Sequence, residues 1–354
     1  MSARELGSNK FKRNMMDIKT AIKRVVECRD LSEREMYSVF TDIMTGRAEP
    51  SQIGAFTTAL RMKGETVDEV TGAAKAMRKK SLKIKSDAKD MILDTCGTGG
   101  SGLGVFNVST VCGFILAACG VSVAKHGNSA VTSSCGSADV LKTLGVKLDV
   151  SSRVVKKCIQ KIKIGFLYAP IYHKAMKYAA GPRKEIGIRT IFNVLGPLTN
   201  PAGPSRQVLG VYKKELTETL ANVLKKLGAK RAYVVHGMDS LDEVTITSKT
   251  RVTELRAGKI RSFYLSPGTF GFKKASMDSI KGGSLKQNAK IIKDILNGKK
   301  GPKRDMVLMN SSVALMAADK VKNFKNGVKM AAQAIDTGAA LKRLEKLIEI
   351  TNGG

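Results

Sequence analysis

Four glycines stand within the six residues Gly97–Gly102, directly after a short apolar run that predicts a strand. Asn107–Thr110 follow them and begin a predicted helix. Glycines let the backbone approach phosphate oxygens, and the first turn of a helix offers free N–H groups at the positive end of its dipole. The spacing therefore predicts a loop that binds a phosphate group, and a tight turn without a ligand is the simpler alternative.

The same glycines satisfy the G-x-G-x-x-G spacing of dinucleotide-binding folds. The acidic residue that such folds place about 20 residues further on is absent, because the second predicted strand ends in Ala124-Lys125-His126. No Gly-Lys-Ser/Thr follows the loop, which also disfavours a Walker-type site. An NADP-dependent oxidoreductase thus stays a distant alternative that depends on the glycine spacing alone.

Polar side chains also follow the second predicted strand, where Lys125-His126-Gly127-Asn128 stand together. The carboxyl ends of parallel strands open onto the ligand crevice in folds of this type. A lysine there can neutralise a phosphate, and the histidine and the asparagine can orient a polar substrate. Ser133–Ser137 add hydroxyl groups at the start of another helix, and Ser137 is predicted to be its N-cap.

Adjacent carboxylates at Asp242 and Glu243 follow a predicted strand that ends at His236. Mg²⁺ is commonly held by one or two carboxylates together with substrate phosphates. As an isolated pair these two residues would be ordinary surface acids. Close to a phosphate loop, however, a carboxylate pair fits a diphosphate substrate that arrives with its metal ion.

A possible acceptor site lies further along the chain, where His173 and Arg183 flank a predicted turn at 179–182. The guanidinium of Arg183 can pair with a carboxylate through two parallel N–H groups. An arginine exposed to solvent is an equally simple interpretation.

The elements that position these residues change in type along the chain. Residues 16–81 predict four short helices, two of which begin with the capping boxes Ser32–Glu35 and Thr66–Glu69, and residues 78–89 predict a basic linker. From residue 91, short apolar strands alternate with helices, which predicts a parallel sheet covered by helices. Residues 250–265 predict an antiparallel hairpin, and the chain from residue 303 predicts helices.

Composition narrows the classes of function. The 354 residues carry 61 Lys and Arg against 30 Asp and Glu, a net charge of +31 that favours anionic partners. The lysines are spread along a chain that has no tryptophan, which disfavours nucleic acid as a partner but leaves it open. The six cysteines form no C-x-x-C pair, and the longest apolar run is too short to span a membrane. With no signal peptide evident, we expect a cytoplasmic protein.

Five long sequence motifs contain most of these residues and show a resemblance to a known family. The chain resembles the anthranilate phosphoribosyltransferases of tryptophan biosynthesis from about residue 16 to residue 350, and these motifs together are far more specific than any one alone. They are DTCGTGGSGLGVFNVST at 94–110, VAKHGN at 123–128, CGSADVL at 135–141, GIRTIFNVLGPLTNPA at 187–202 and VVHGMDSLDEV at 234–244.

The resemblance implies an α/β fold in which a small all-helical N-terminal domain packs on a larger α/β domain with a mostly parallel sheet. It implies a flexible tail at 1–15, a helical dimerisation domain at 16–86 joined by helices near 184–202, and a phosphoribosyl-binding domain at 87–350. It also implies a homodimer and an enzyme that moves the 5-phosphoribosyl group of phosphoribosyl pyrophosphate to the amine of anthranilate. A nucleic-acid-binding relative that keeps the fold without this activity is the alternative, motivated by the charge of +31.

By position in the motifs, the resemblance assigns the site residues. The catalytic residues are expected to be Lys125, His126 and Asn128. Two Mg²⁺ ions per subunit are expected to be bound by Ser109, Asp242 and Glu243. Anthranilate is expected to be bound by Gly97, Asn128, His173 and Arg183. Phosphoribosyl pyrophosphate is expected to be bound by Gly97, Gly100, Ser101, Val105, Asn107, Val108, Ser109, Thr110, Lys125, His126, Gly127, Asn128, Ser129, Ala130, Val131, Thr132, Ser133 and Ser137.

Three of these positions depart from the family pattern. Ser101 stands where the family commonly has Asp, Val105 where it often has Thr, and Ser129 where KHGN is normally followed by Arg. A missing charge-assisted hydrogen bond of the arginine type costs about 1.5–3 kcal/mol. We therefore expect these departures to affect substrate affinity.

Overall fold

The computed structural model describes residues 16–84, 91–99, 102–129 and 135–353. Within these residues the chain forms two compact units, and each is described by itself. The smaller unit consists of the residues up to Ser81 together with His173–Thr199, and the larger unit consists of Leu82–Tyr172 and the residues from Asn200 onward. The predicted tail at 1–15 and the predicted boundary between 86 and 87 lie outside the described residues.

Helices precede the first strand of the described chain, and helices also follow the last one. In chain order, the helices are α1 (Ile18–Val26), α2 (Glu33–Met44), α3 (Pro50–Lys63), α4 (Val67–Lys80), α5 (Val108–Ala118), α6 (Ser137–Thr143), α7 (Ser152–Ile162), α8 (Ala169–Tyr172), α9 (Lys177–Ile186), α10 (Phe192–Leu195), α11 (Leu216–Lys226), α12 (Pro267–Phe270), α13 (Leu285–Leu296), α14 (Pro302–Ala317), α15 (Phe324–Asp336) and α16 (Ala339–Asn352). The strands are β1 (Ile92–Gly97), β2 (Ser122–Gly127), β3 (Ile164–Tyr168), β4 (Arg206–Gly210), β5 (Arg231–Gly237), β6 (Thr250–Arg256) and β7 (Lys259–Leu265).

The four predicted N-terminal helices are confirmed as α1–α4, and both capping boxes are present. The Ser32 backbone N–H donates to Glu35 Oε2 over 2.8 Å, and the Glu35 N–H donates back to Ser32 Oγ over 3.3 Å. Thr66 and Glu69 make the same pair of bonds over 2.8 Å and 3.3 Å. Each box satisfies backbone donors that the first turn of a helix otherwise leaves unpaired.

Two local predictions are wrong. The predicted linker at 78–89 begins too early, because α4 continues to Lys80 and the Arg78 Nε donates to the Leu198 carbonyl over 2.7 Å. The predicted turn at 179–182 is instead part of α9, which runs through Pro182. Ala179 and Pro182 are both buried on this helix, so packing of that face outweighs the hydrogen bond that proline cannot donate.

The larger unit contains one seven-stranded sheet with the order β3-β2-β1-β4-β5-β6-β7. Its first five strands in this order pair in parallel, and the β5–β6 and β6–β7 pairs are antiparallel. The predicted hairpin is confirmed, with Ala257 and Gly258 both at positive φ in a two-residue turn. The sheet is therefore mostly parallel, as the α/β prediction requires.

The strand order sets the position of the ligand crevice. The chain runs from β1 outward through β2 and β3, then returns to the other side of β1 with β4. In parallel sheets the crevice lies at such a switch point, beyond the carboxyl ends of the strands. Behind this edge, α5 packs an almost wholly buried face that includes Val111, Phe114 and Ile115, which fixes where its first turn points.

Candidate active site

Three glycines end the strands around the switch point: Gly97 on β1, Gly127 on β2 and Gly210 on β4. A Cβ added to Gly97 would lie 2.5 Å from Asp242 Oδ2, and one added to Gly210 would overlap the Asp242 backbone. A Cβ on Gly127 would meet the Ser137 hydroxyl. Glycine is thus required at each position because another segment of the site comes into van der Waals contact with it.

The beginning of the glycine loop is tied to the acidic segment. The Thr98 N–H donates to the Gly210 carbonyl over 2.9 Å, and the Tyr212 N–H donates to Thr98 Oγ1 over 3.1 Å. The Gly99 N–H donates to Asp242 Oδ2 over 2.8 Å. The predicted phosphate loop and the predicted metal ligand therefore meet at one edge of the sheet.

Lys125 lies at the centre of this edge, on β2. Its side chain is buried, and Nζ donates to the Thr95 carbonyl over 2.7 Å and to Ser109 Oγ over 3.1 Å. Burial raises the pKa of Asp94 and of Glu243, and the charge of Lys125, which they face, opposes this shift. The structure therefore places Lys125 as the cation that joins β1, the first turn of α5 and the acidic residues.

Glu243 is the carboxylate whose ionisation this arrangement disfavours most. Burial and the neighbouring charge of Asp242 raise its pKa to about 8, although Lys125 and a hydrogen bond from the Ser109 backbone N–H favour its charged form. A divalent cation would relieve this cost by compensating both carboxylates.

The three predicted metal ligands Ser109, Asp242 and Glu243 are linked through these contacts. Among the described residues there is no group of three His, Cys, Asp or Glu that could hold a metal ion. Two carboxylates and a hydroxyl nevertheless suit Mg²⁺, which usually keeps some of its coordination for water and substrate phosphates. The residues present therefore fit a magnesium ion that is bound jointly with a phosphorylated substrate.

Asp94 and Asn200 belong to this edge of the sheet although the sequence analysis did not assign them to the site. Asn200 Nδ2 donates to Asp94 Oδ2 and to the Ala124 carbonyl, each over 2.8 Å, and the His126 N–H donates to Asp94 Oδ1 over 3.4 Å. Burial raises the pKa of Asp94 to about 6 against the charge of Lys125. An acidic residue in an otherwise apolar strand is the signal that would have found it.

On the β2 side, the residues after Lys125 form a short polar turn. Asn128 Oδ1 accepts the Ser129 N–H over 2.8 Å, and the Asn128 carbonyl accepts the Ala138 N–H over 3.2 Å. Ser129 Oγ lies 3.2 Å from the Tyr168 hydroxyl. The predicted N-cap is wrong: Ser137 is the first residue of α6 and Gly136 is its N-cap, because the Asp139 carboxylate accepts the Gly136 N–H over 3.1 Å.

The segment before α5 offers mainly backbone groups. Asn107 is the N-cap residue, and its side chain contacts Cys135 through Nδ2 and Oδ1. Val108 and Thr110 are buried, so a ligand could meet Val108 only through its backbone. Val105 forms an isolated bridge with Lys281. The predicted ligand residues Gly100, Ser101, Ala130, Val131, Thr132 and Ser133 lie outside the described residues.

His173 and Arg183 belong to the smaller unit. Burial lowers the pKa of His173 to about 4, against a hydrogen bond with the Thr199 backbone that favours its charged form. The Arg183 guanidinium lies 5.2 Å from the centre of the Phe192 ring, and burial lowers its pKa. Arg183 is half-buried beside this ring, which disfavours the alternative of a freely solvated surface residue.

No helix in the part of the chain that the structure describes is long and apolar enough to cross a membrane.

The helical unit and the α/β unit correspond to the two domains of one class of transferases. Residues 19–81 match the family model of the glycosyl transferase family helical bundle domain, and residues 89–341 match that of the glycosyl transferase family a/b domain.

Comparison with curated relatives identifies the family within this class of transferases. The chain is 54% identical over 348 residues to the anthranilate phosphoribosyltransferase of Geobacter sp. (strain M21), which covers 95% of this chain and 99% of the relative. It is 52% identical over 335 residues to that of Acetivibrio thermocellus, with 95% and 97% covered. The chain belongs to the anthranilate phosphoribosyltransferase family. The names of these relatives give no support to the nucleic-acid-binding alternative.

Solved structures agree with this assignment. The anthranilate phosphoribosyltransferase of Thermus thermophilus superposes with a TM-score of 0.89 at 38% identity and covers 94% of this chain and 99% of its own. The enzyme from Saccharomyces cerevisiae in complex with PRPP and Mg superposes with a TM-score of 0.87 at 31% identity and covers 95% and 98%. The predicted α/β fold is confirmed.

Proposed function

We propose that this chain transfers the 5-phosphoribosyl group of phosphoribosyl pyrophosphate to the amine of anthranilate in the synthesis of tryptophan. The observation that carries the proposal is the hydrogen bond from the Gly99 N–H to the Asp242 carboxylate at the switch point of the sheet. It places a glycine loop and an acidic pair in one crevice, as a diphosphate and its metal ion require. The yeast relative solved with PRPP and Mg supports the same assignment.

The reaction exchanges one bond at C1 of the ribose for another. The C1–O bond to pyrophosphate breaks, the C1–N bond to anthranilate forms with inversion, and the amine releases a proton to solvent. An aromatic amine is neutral near pH 7, so the site needs no strong general base. The main demands are to hold the two substrates together and to stabilise the leaving pyrophosphate.

Three groups of residues in the larger unit would meet these demands. Backbone N–H groups of the glycine loop and of the first turn of α5 would donate to phosphate oxygens, and those of Gly99 and Ser109 would exchange their acceptors Asp242 and Glu243 for phosphate. Lys125 holds Ser109 beside the loop and balances the charge of Glu243. Asp242 and Glu243 would hold Mg²⁺, which when bound neutralises charge that develops on the leaving pyrophosphate. We propose two such ions per subunit, as the family resemblance implies.

Several finer assignments belong to the same proposal. Arg183 would pair with the carboxylate of anthranilate, and Gly97, Asn128 and His173 stay predicted contacts of this substrate. His126 and Asn128 would orient the ribose. The homodimer and the cytoplasmic location predicted from the sequence also stay predictions.

A fluorescence assay tests the proposal, because anthranilate fluoresces and its amine is consumed in the reaction. The full chain should remove anthranilate fluorescence only when phosphoribosyl pyrophosphate and Mg²⁺ are both present. The variant Asp278→Asn, which changes a fully exposed acid, should behave as the wild type. Loss of fluorescence that does not depend on Mg²⁺, or no loss at all, would contradict the proposal.

A further inference from the structure

Three arginines stand side by side at the opposite edge of the sheet from the glycine loop. Arg206 begins β4, Arg231 begins β5 and Arg256 ends β6, and the register pairs Arg206 with Arg231 and Arg231 with Arg256. Residues that are paired across neighbouring strands point to the same face of a sheet, and like charges in such positions destabilise it. This row therefore requires compensating negative charge.

Two carboxylates compensate it in part. Asp319 bridges Arg206 and Arg231, and Glu254 accepts from Arg231 over 3.2 Å and from Arg261 over 3.3 Å. Arg231 is the most buried member, with 4% of its surface exposed. Within the described chain, these two acids are the carboxylates that pair with the row and its basic neighbours.

The cations that remain uncompensated line a cavity. Its volume is about 470 Å³, and its lining consists of Arg206, Lys230, Arg231, Arg256, Ala257, Gly258 and Asp319. Among the described residues, no carboxylate forms a salt bridge with Lys230 or Arg256. The Nε groups of Arg206 and Arg231 are buried and likewise have no hydrogen-bond acceptor in the described part of the chain. The lining of the cavity thus has an excess of positive charge, which Lys230 and Arg256 carry.

We propose that this cavity is a second anion-binding site, which takes the phosphate group of a small molecule. Arginine is suited to phosphate because its planar guanidinium donates in parallel to two oxygens. The volume lies in the range of small-molecule sites and exceeds what a free phosphate ion fills. The site lies at the amino-terminal ends of β4 and β5, whereas the glycine loop follows the carboxyl end of β1, so the two sites are separate.

The test uses inorganic phosphate as the first probe and adenosine monophosphate as the second, at constant ionic strength. The double variant K230Q/R256Q removes two exposed cations of the lining. The matched control K342Q/K346Q removes two exposed lysines of α16, which lie neither in the row nor in the lining of the cavity. Thermal unfolding of the full chain is followed with and without each probe.

We expect phosphate to raise the unfolding temperature of the wild type and of K342Q/K346Q, and to raise that of K230Q/R256Q by less than half as much. Without phosphate and at low salt, K230Q/R256Q should unfold at a higher temperature than the wild type, because fewer positive charges then repel one another in the lining of the cavity. A larger effect of adenosine monophosphate at equal concentration identifies a phosphate ester as the ligand, and an equal effect identifies free phosphate. An equal phosphate effect in all three proteins would overturn the proposal.

Discussion

The two edges of the same sheet carry opposite charge imbalances. At the carboxyl edge, Asp94 and Glu243 face the buried cation Lys125, and Asp242 lies beside Glu243. At the amino edge, Arg206, Arg231 and Arg256 stand in register and share few acids. A folded protein tolerates such an imbalance at a cost in stability, and a ligand of the opposite sign relieves it. We propose that the sign at each edge reflects its ligand: a metal ion that binds together with a diphosphate at the first, and an anion at the second.

The largest expected effect tests the acidic edge. Asp242→Asn and Glu243→Gln should each lower kcat by about 100-fold or more and raise the Mg²⁺ concentration needed for half-maximal activity, because each removes a charge that would hold the ion. Steady-state rates at a series of Mg²⁺ concentrations measure both effects. Asp278→Asn is the control, and an unchanged Mg²⁺ dependence in the other two variants would remove their residues from the metal site.

The next largest effect concerns the stability of the smaller unit, in which His173 is buried and stays neutral. His173 has its pKa lowered to about 4 by burial, so below its ordinary pKa near 6.5 the unfolded chain binds a proton that the folded chain does not. Its contribution to stability is therefore complete above pH 6.5 and is lost as the pH falls toward 4. The loss should reach about 2 kcal/mol at pH 5.

Denaturant unfolding of the wild type and of His173→Gln between pH 7 and pH 4.5 measures this contribution. The variant should lose stability less steeply as the pH falls, whatever its stability at pH 7. Parallel curves for the two proteins would show that folding does not lower the pKa of His173.

Arg183 extends the comparison to a half-buried cation of the smaller unit. Arg183→Ala should raise the KM for anthranilate about tenfold or more, because a charge-assisted pair contributes about 1.5–3 kcal/mol, and should change the KM for phosphoribosyl pyrophosphate little. Arg183→Lys should recover part of the loss. The exposed neighbour provides the control Lys184→Ala. A parallel rise of both KM values would place Arg183 outside the acceptor site.

The smallest effect adds a cation to the carboxyl edge. Ser129 contacts Tyr168 where the family normally has arginine, and Ser129→Arg should lower the KM for phosphoribosyl pyrophosphate about two- to fivefold, within the range of a partly exposed charge contact. Ser129→Ala removes the contact without adding charge and should not lower KM. An unchanged KM in the folded arginine variant would show that other groups already neutralise this phosphate.

The sequence predicted those parts of the molecule that depend on short-range patterns. Capping boxes, alternating apolar strands and the hairpin at Ala257 were all readable, because backbone geometry alone selects such residues. The roles predicted for the glycine loop and the acidic pair stay predictions, although the structure does bring Gly99 and Asp242 into contact. The position of α9 was not, because burial of Pro182 against its own unit depends on contacts that local propensity does not contain.

Other parts depend on which strands become neighbours. Gly210 is required only because Asp242 packs on it, and Asp94 belongs to the site only because Asn200 returns from more than 100 residues away. The row of arginines arises in the same way, since Arg206, Arg231 and Arg256 meet only once β4, β5 and β6 have paired. The strand order carries this information, and no single motif does.

The proposed transfer is tested most directly by ³¹P NMR of the full chain mixed with phosphoribosyl pyrophosphate, Mg²⁺ and a limiting amount of anthranilate. The proposal predicts that free pyrophosphate appears in a 1:1 ratio with the anthranilate consumed, together with one new phosphomonoester signal, and that Glu243→Gln slows both changes equally. Pyrophosphate release that continues without anthranilate, or no release when all components are present, would contradict it.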